Sequence, residues 1–139
     1  MSSLAGTAAF AADPIKLNCP AGTTQQMSPS KDGFGCVGKG AKHTAVTQGP
    51  VVFIHPNGVK ALEGRQEGNF RVGTWTAYDE NGVKTEVFEM KRSVRDGKAT
   101  QFYPNGAVKK VEQYKDGQLV AVLQQFDANG QAVTTTAAK

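Results

Sequence analysis

The chain has 139 residues with 16 basic and 12 acidic side chains, a net charge of +4 and a mean hydropathy of −0.39. That length suits one domain. The charge is spread, with four basic against two acidic residues in 1–48 and twelve against ten in 49–139, so no basic arm or stripe marks a nucleic-acid binder, and no run approaches the roughly 18 to 20 apolar residues of a membrane-spanning helix.

Residues 1–12 are small and weakly apolar and end in Ala9-Phe10-Ala11-Ala12-Asp13. Ala9 and Ala11 fit the A-x-A pattern of a signal-peptidase site, although a basic leader and a full apolar run are missing. The segment reads as a signal-peptide remnant or a disordered start. Cys19 and Cys36 come next, separated by Pro20, Gly22, Pro29, Gly33 and Gly35. An even cysteine count beside an export-like start favours a Cys19–Cys36 disulfide, worth about 3 kcal/mol for a loop of this length in the chain-entropy picture. Two cysteines do not make a zinc site, and His43 and His55 stand at no finger-type spacing. Residues 13–48 carry only scattered apolar positions and read as a loop-rich cap over the open end of a sheet.

From residue 49 onward one turn recurs at a fixed spacing, at Asn57-Gly58, Asn81-Gly82, Asn105-Gly106 and Asn129-Gly130. Asn-Gly favours a two-residue hairpin turn in which both residues take positive φ. Four copies in register define a tandem repeat over 49–139, with units opening at Gly49, Gly73, Gly97 and Ala121. Each unit begins with a short strand, over 50–54, 74–78, 98–102 and 122–126. Its third position holds Val51, Trp75, Ala99 and Leu123, and its sixth holds Ile54, Tyr78, Phe102 and Phe126. Trp75, Tyr78, Phe102 and Phe126 are the expected core, with Trp75 the best buried. Return strands are expected over 59–66, 83–90, 107–114 and from 131 onward, with Lys84, Glu86, Lys109 and Lys110 facing out.

A second turn should join the units, at Glu67-Gly68 and Asp116-Gly117, with a slip of one residue between them. Lys91-Arg92-Ser93 stands in its place in the second unit, where a longer loop or a bulge is expected. No segment has helical periodicity over the length a helix would need. The fold expected is all-β, an antiparallel meander of 24-residue hairpin repeats forming a single-layer twisted sheet, with the disulfide-stapled segment at its N-terminal end.

The run Gly73-Thr74-Trp75-Thr76-Ala77-Tyr78-Asp79-Glu80-Asn81-Gly82, with Tyr114-Lys115-Asp116-Gly117-Gln118-Leu119, resembles the MORN-repeat variant of bacterial YwqK-type proteins. The resemblance covers 49–130. It departs at Ala121, where the opening Gly is missing, and at Gln66 and Met90, which replace the return-strand aromatic. It implies a twisted β-meander used as a protein-interaction or membrane-associated module. Some YwqK-type proteins are labelled antitoxins, but an export-like start and a disulfide suit an envelope or secreted role better.

No catalytic constellation is legible: no serine sits in a G-x-S-x-G elbow, and His55 occupies a turn column shared with Asp79, Tyr103 and Asp127. No cofactor or metal is expected. The candidate binding residues are the basic run with Lys91, Arg92, Arg95 and Lys98, together with Phe53, Phe88 and Tyr103, which fall outside the two apolar columns and are expected at the surface. The function expected is that of a noncatalytic, exported (periplasmic or secreted) module that binds a protein partner of unknown identity through its sheet face or edge. Two further readings stand beside it. One is an immunity or antitoxin-like protein; the other is attachment to anionic lipid or a cell-wall polymer through the basic loop 91–98.

Overall fold

Two kinds of turn alternate along the chain and fold it into one sheet. In the first, the carbonyl of the residue before the turn accepts the glycine N–H three residues on, from His55 to Gly58 (2.9 Å), Asp79 to Gly82 (3.0 Å), Tyr103 to Gly106 (2.8 Å) and Asp127 to Gly130 (2.9 Å). Only the glycine takes the left-handed conformation, with φ of 88°, 84°, 90° and 85°, while each Asn keeps a negative φ. These are three-residue loops, a type I turn closed by a left-handed glycine, and not the two-residue turns expected from Asn-Gly. Pro56 and Pro104 help to decide this, because the φ fixed by the proline ring suits the second position of a type I turn. Side-chain carbonyls complete it. Asn57 Oδ1 accepts from Val59 N (3.0 Å) and Asn105 Oδ1 from Ala107 N (2.9 Å), while Asp79 and Asp127 do the same work in the other two turns.

The second kind of turn has two residues, both at positive φ: Gly68 and Asn69 (57° and 74°), Arg92 and Ser93 (51° and 71°), Asp116 and Gly117 (51° and 86°). This is type I′ geometry. These turns keep the period of the repeat, so the expected slip is absent and the first turn is Gly68-Asn69 rather than Glu67-Gly68. Lys91-Arg92-Ser93 holds no longer loop: Arg92 and Ser93 make a tight turn against their own preference, held by Ser93 N donating to Arg71 O (2.9 Å) and Arg71 N to Ser93 Oγ (3.0 Å).

The computed structural model describes residues 15–133. Its strands are β1 (Thr24–Met27), β2 (Gly33–Lys39), β3 (Ala45–Ile54), β4 (Lys60–Glu67), β5 (Phe70–Tyr78), β6 (Lys84–Lys91), β7 (Val94–Phe102), β8 (Val108–Lys115) and β9 (Gln118–Gln125). Each pairs antiparallel with its sequence neighbours in one nine-stranded sheet, as the repeat implies. The opening strands start earlier than expected, at Phe70 rather than Thr74 and at Val94 rather than Lys98, because type I′ turns bring the chain straight back into register. A 3-10 turn at Ala41–His43 is the one helical element among the described residues.

The segment read as a loop-rich cap contributes β1, β2 and the first half of β3. Cys19 and Cys36 are disulfide-bonded, 2.05 Å between sulfurs, which ties the chain before β1 to β2. The signal-peptide reading of 1–12 lies outside the described residues, as does the last return strand beyond residue 133. Of that strand a single bridge is described, Phe126 to Ala132.

Register places one row of side chains across a face of the sheet: Val51, Gly64, Trp75, Phe88, Ala99 and Glu112. Val51, Trp75, Phe88 and Ala99 form the buried core, with Phe53, Leu62, Ala77, Met90 and Tyr114 packed against it. Trp75 is 0% exposed, as its column suggested. Its ring stacks on Phe53 at 6.4 Å between centroids, and its Nε1 donates to Val72 O at 3.1 Å. Tyr78, Phe102 and Phe126 are only half-buried, because their odd offset of three positions from the Trp75 column puts them on the opposite face of the sheet, where no second layer covers them among the described residues.

That opposite face carries a polar pairing. Tyr78 Oη donates to Glu63 Oε2, and Lys60 Nζ lies 2.9 Å from Glu63 Oε1. Burial and the Glu63 carboxylate push the Tyr78 phenol up to about 12. Burial also draws the Glu63 carboxyl upward, but the Tyr78 and Lys60 hydrogen bonds outweigh it and hold it below its ordinary value. The folded state thus keeps the Tyr78 proton where the unfolded chain has lost it, and stability falls as pH rises from the ordinary tyrosine value of 10 toward 12. In an absorbance titration of the phenolates, one of the three tyrosines is expected to ionise late, and Glu63→Gln is expected to bring it earlier. A phenolate titration with no late component would refute this pairing.

Candidate functional site

The basic run does not converge on one surface. Lys91, Arg92 and Lys98 are exposed, and Arg92 lies over the ring of Phe70, 5.7 Å from its centroid. Arg95 turns to the Trp75 face instead. Its guanidinium forks onto Glu86 (Nη1 to Oε2 2.6 Å, Nη2 to Oε1 2.9 Å) and lies over the rings of Phe88 at 4.2 Å and Tyr114 at 5.3 Å. The Glu86 bonds raise the Arg95 pKa still further. Glu86 and Lys110 are therefore not the outward-facing residues expected, since Lys110 pairs with buried Glu112 at 3.3 Å on this same face. Arg95 is committed to the sheet and is no free contact for an anion.

The aromatic candidates are likewise internal. Phe88, expected at the surface, is 7% exposed and belongs to the core row. Phe53 packs against that row beside Trp75. Tyr103 is half-buried, and its hydroxyl donates to Phe126 O at 2.8 Å. His55 does the equivalent two units earlier, its Nε2 donating to Tyr78 O at 2.8 Å. Both side chains reach forward 23 residues to clamp the next turn, a structural role that accounts for their place in a turn column. Among the described residues, no group of three or more His, Cys, Asp or Glu side chains could hold a metal ion.

Two features were missed in the sequence. The first is β9, the last strand in the sheet order, where Leu119 (37% exposed), Val120 (43%) and Leu123 (43%) stay open, with Val133 (41%) beside them. Successive strand residues face opposite ways, so this apolar surface spans both sides of the strand. The unbroken run Leu119-Val120-Ala121-Val122-Leu123 was the available signal. Among the described residues nothing pairs with the outer edge of β9 from Gln118 to Gln124.

The second is an open groove of about 400 Å³ at the other end of the sheet, on the Trp75 face. Its floor exists because β2 sets Gly33 and Gly35 opposite Phe53 and Val51, so two side chains are missing there. A Cβ on Gly33 would stand 2.5 Å from Val52 O. Met27 and Gln66 also line the groove. Gln66 pairs with Arg71, whose guanidinium lies 5.1 Å from the ring centroids of both Phe53 and Trp75.

A comparison with protein-family models matches residues 95–116 to the MORN repeat variant. The matched segment is β7, the Asn105-Gly106 turn and β8, one hairpin of the sheet. A search among curated proteins returns no match. The register of the repeat carries the same hairpin geometry to the flanking units, and the chain is a repeat protein that bears the MORN repeat variant at residues 95–116.

Proposed function

We propose that the protein is a noncatalytic, exported β-repeat module that binds a partner protein by strand addition along β9. The observation that carries this reading is the outer edge of β9, which from Gln118 to Gln124 has no backbone partner among the described residues, with Leu119, Val120 and Leu123 exposed beside it. Natural sheets blunt such edges with charges, proline or a covering element, and among the described residues this edge is apolar. Strand addition uses the edge hydrogen bonds for affinity and alternate side chains for specificity. The Cys19–Cys36 disulfide supports an oxidising compartment, so the partner is sought among envelope and secreted proteins.

The test is a pull-down from envelope and secreted fractions with the wild-type chain and with Val120→Lys and Leu123→Lys, at low and high salt. A protein retained at high salt by the wild type and lost by both variants is the expected result. Equal retention by the variants would remove β9 from the site. Recovery only of lipid or polymer at low salt would move the function to exposed Lys91 and Arg92. A toxic partner would make the protein an immunity protein.

A further inference from the structure

Arg71 and Arg95 occupy the same place in successive units, at the start of β5 and β7. Each guanidinium lies over two aromatic rings, Phe53 and Trp75 for Arg71, Phe88 and Tyr114 for Arg95. Arg95 is completed by Glu86. The residue one repeat before Glu86 is Leu62, which packs against the core and offers no oxygen. Among the described residues, Arg71 has no carboxylate partner and its side chain donates no hydrogen bond. Five N–H donors held half-buried over aromatic rings form a preorganised fork that lacks its acceptor.

We infer that Arg71 and the adjoining groove bind an extended peptide segment of a partner protein that presents a glutamate and, two residues on, a large apolar side chain. The sheet contains its own copy of this ligand. In β6, Glu86 and Phe88 are two residues apart and so lie on one face of the strand, where Glu86 grips Arg95 and Phe88 lies beneath the same guanidinium. Arg71 stands beside a groove that accepts the apolar side chain over Gly33, Gly35 and Phe53, and the glutamate supplies the acceptor that Leu62 lacks. Gln66, next to Arg71 on the groove rim, makes no side-chain hydrogen bond among the described residues and is available to the peptide backbone. The groove lies over β1 to β4 and Arg71 on β5, four strands from β9 in the sheet order, so the site stands independently of the reading of that edge.

The probe is a fluorescent, end-capped peptide copying residues 85–90, Thr-Glu-Val-Phe-Glu-Met, with a second peptide in which its first Glu is Gln. Fluorescence anisotropy against the full chain is expected to show saturable binding of the first and binding weaker by about tenfold or more for the second, as loss of a charge-assisted fork implies. Arg71→Gln is expected to lose the difference between the two peptides. Leu62→Glu is expected to abolish binding with Arg71 intact, by supplying internally what Glu86 supplies to Arg95, and Arg92→Gln is expected to change nothing. Circular dichroism confirms that each variant is folded; if Leu62→Glu is not, Arg71→Gln and Arg71→Lys decide the question alone. No saturable binding, equal binding of the two peptides, or full binding by Arg71→Gln would each overturn the inference.

Discussion

Trp75→Ala is expected to lower stability by about 3 to 5 kcal/mol, a large share of what so small a domain has. The side chain is wholly enclosed, stacked on Phe53, covered by the Arg71 guanidinium and paired through its indole N–H to Val72 O. Its cross-strand floor is Gly64, which has no side chain to relax into the space. A cavity that cannot collapse puts the cost toward the upper end of the range. Because Trp75 is the single tryptophan, the variant must be followed by far-UV circular dichroism in urea rather than by its own fluorescence. A loss below about 1 kcal/mol would mean that the indole is not the centre of the core.

Gly64→Ala should be the other large effect, although it adds only one carbon. A Cβ at Gly64 would overlap Cδ2, Cε2 and Cγ of Trp75, and the ring also packs against Phe53 and Arg71. Overpacking of this kind costs about 1 to 3 kcal/mol. The same methyl introduced into Trp75→Ala has room, so its cost there should vanish or reverse, giving a coupling of about 1 to 3 kcal/mol in the double-mutant cycle. Simple additivity of the two changes would show that Gly64 matters for some reason other than the indole above it.

The repeat, its direction of travel and Trp75 as the core were legible because they depend on local chemistry that recurs. Four Asn-Gly pairs at one spacing leave little freedom in topology. Features set by neighbouring strands were not legible. Arg92 and Ser93 have no preference for positive φ, and their turn is imposed by hydrogen bonds to Arg71, 22 residues away in the chain for Ser93. Phe88 looked unshared because its column holds Gly64 and Glu112; only pairing with Trp75 in the adjacent strand shows it to be core. The glycine-rich β2 has no alternating pattern of its own and becomes a strand by pairing with β3. The basic run misled for a related reason. Residues close in sequence point to opposite faces of a strand, so Arg95 leaves Lys98 and joins Glu86. Arg71 acquires meaning only from comparison with Arg95 and from what stands at Leu62.

The row that runs from Val51 to Glu112 also settles the order of the units. Backbone geometry alone would let any unit follow any other, since both kinds of turn repeat at one spacing. Side-chain volume does not allow it: Gly64 is small because Trp75 comes next, and Ala99 is small because Phe88 precedes it. Exchanging the second and third units would set Ala99 over Gly64, leaving a void, and press Trp75 against Glu112. Each seam is therefore a lock fitted to one key, and the number of repeats in this chain cannot be changed by cutting out a unit without recutting the seam beside it.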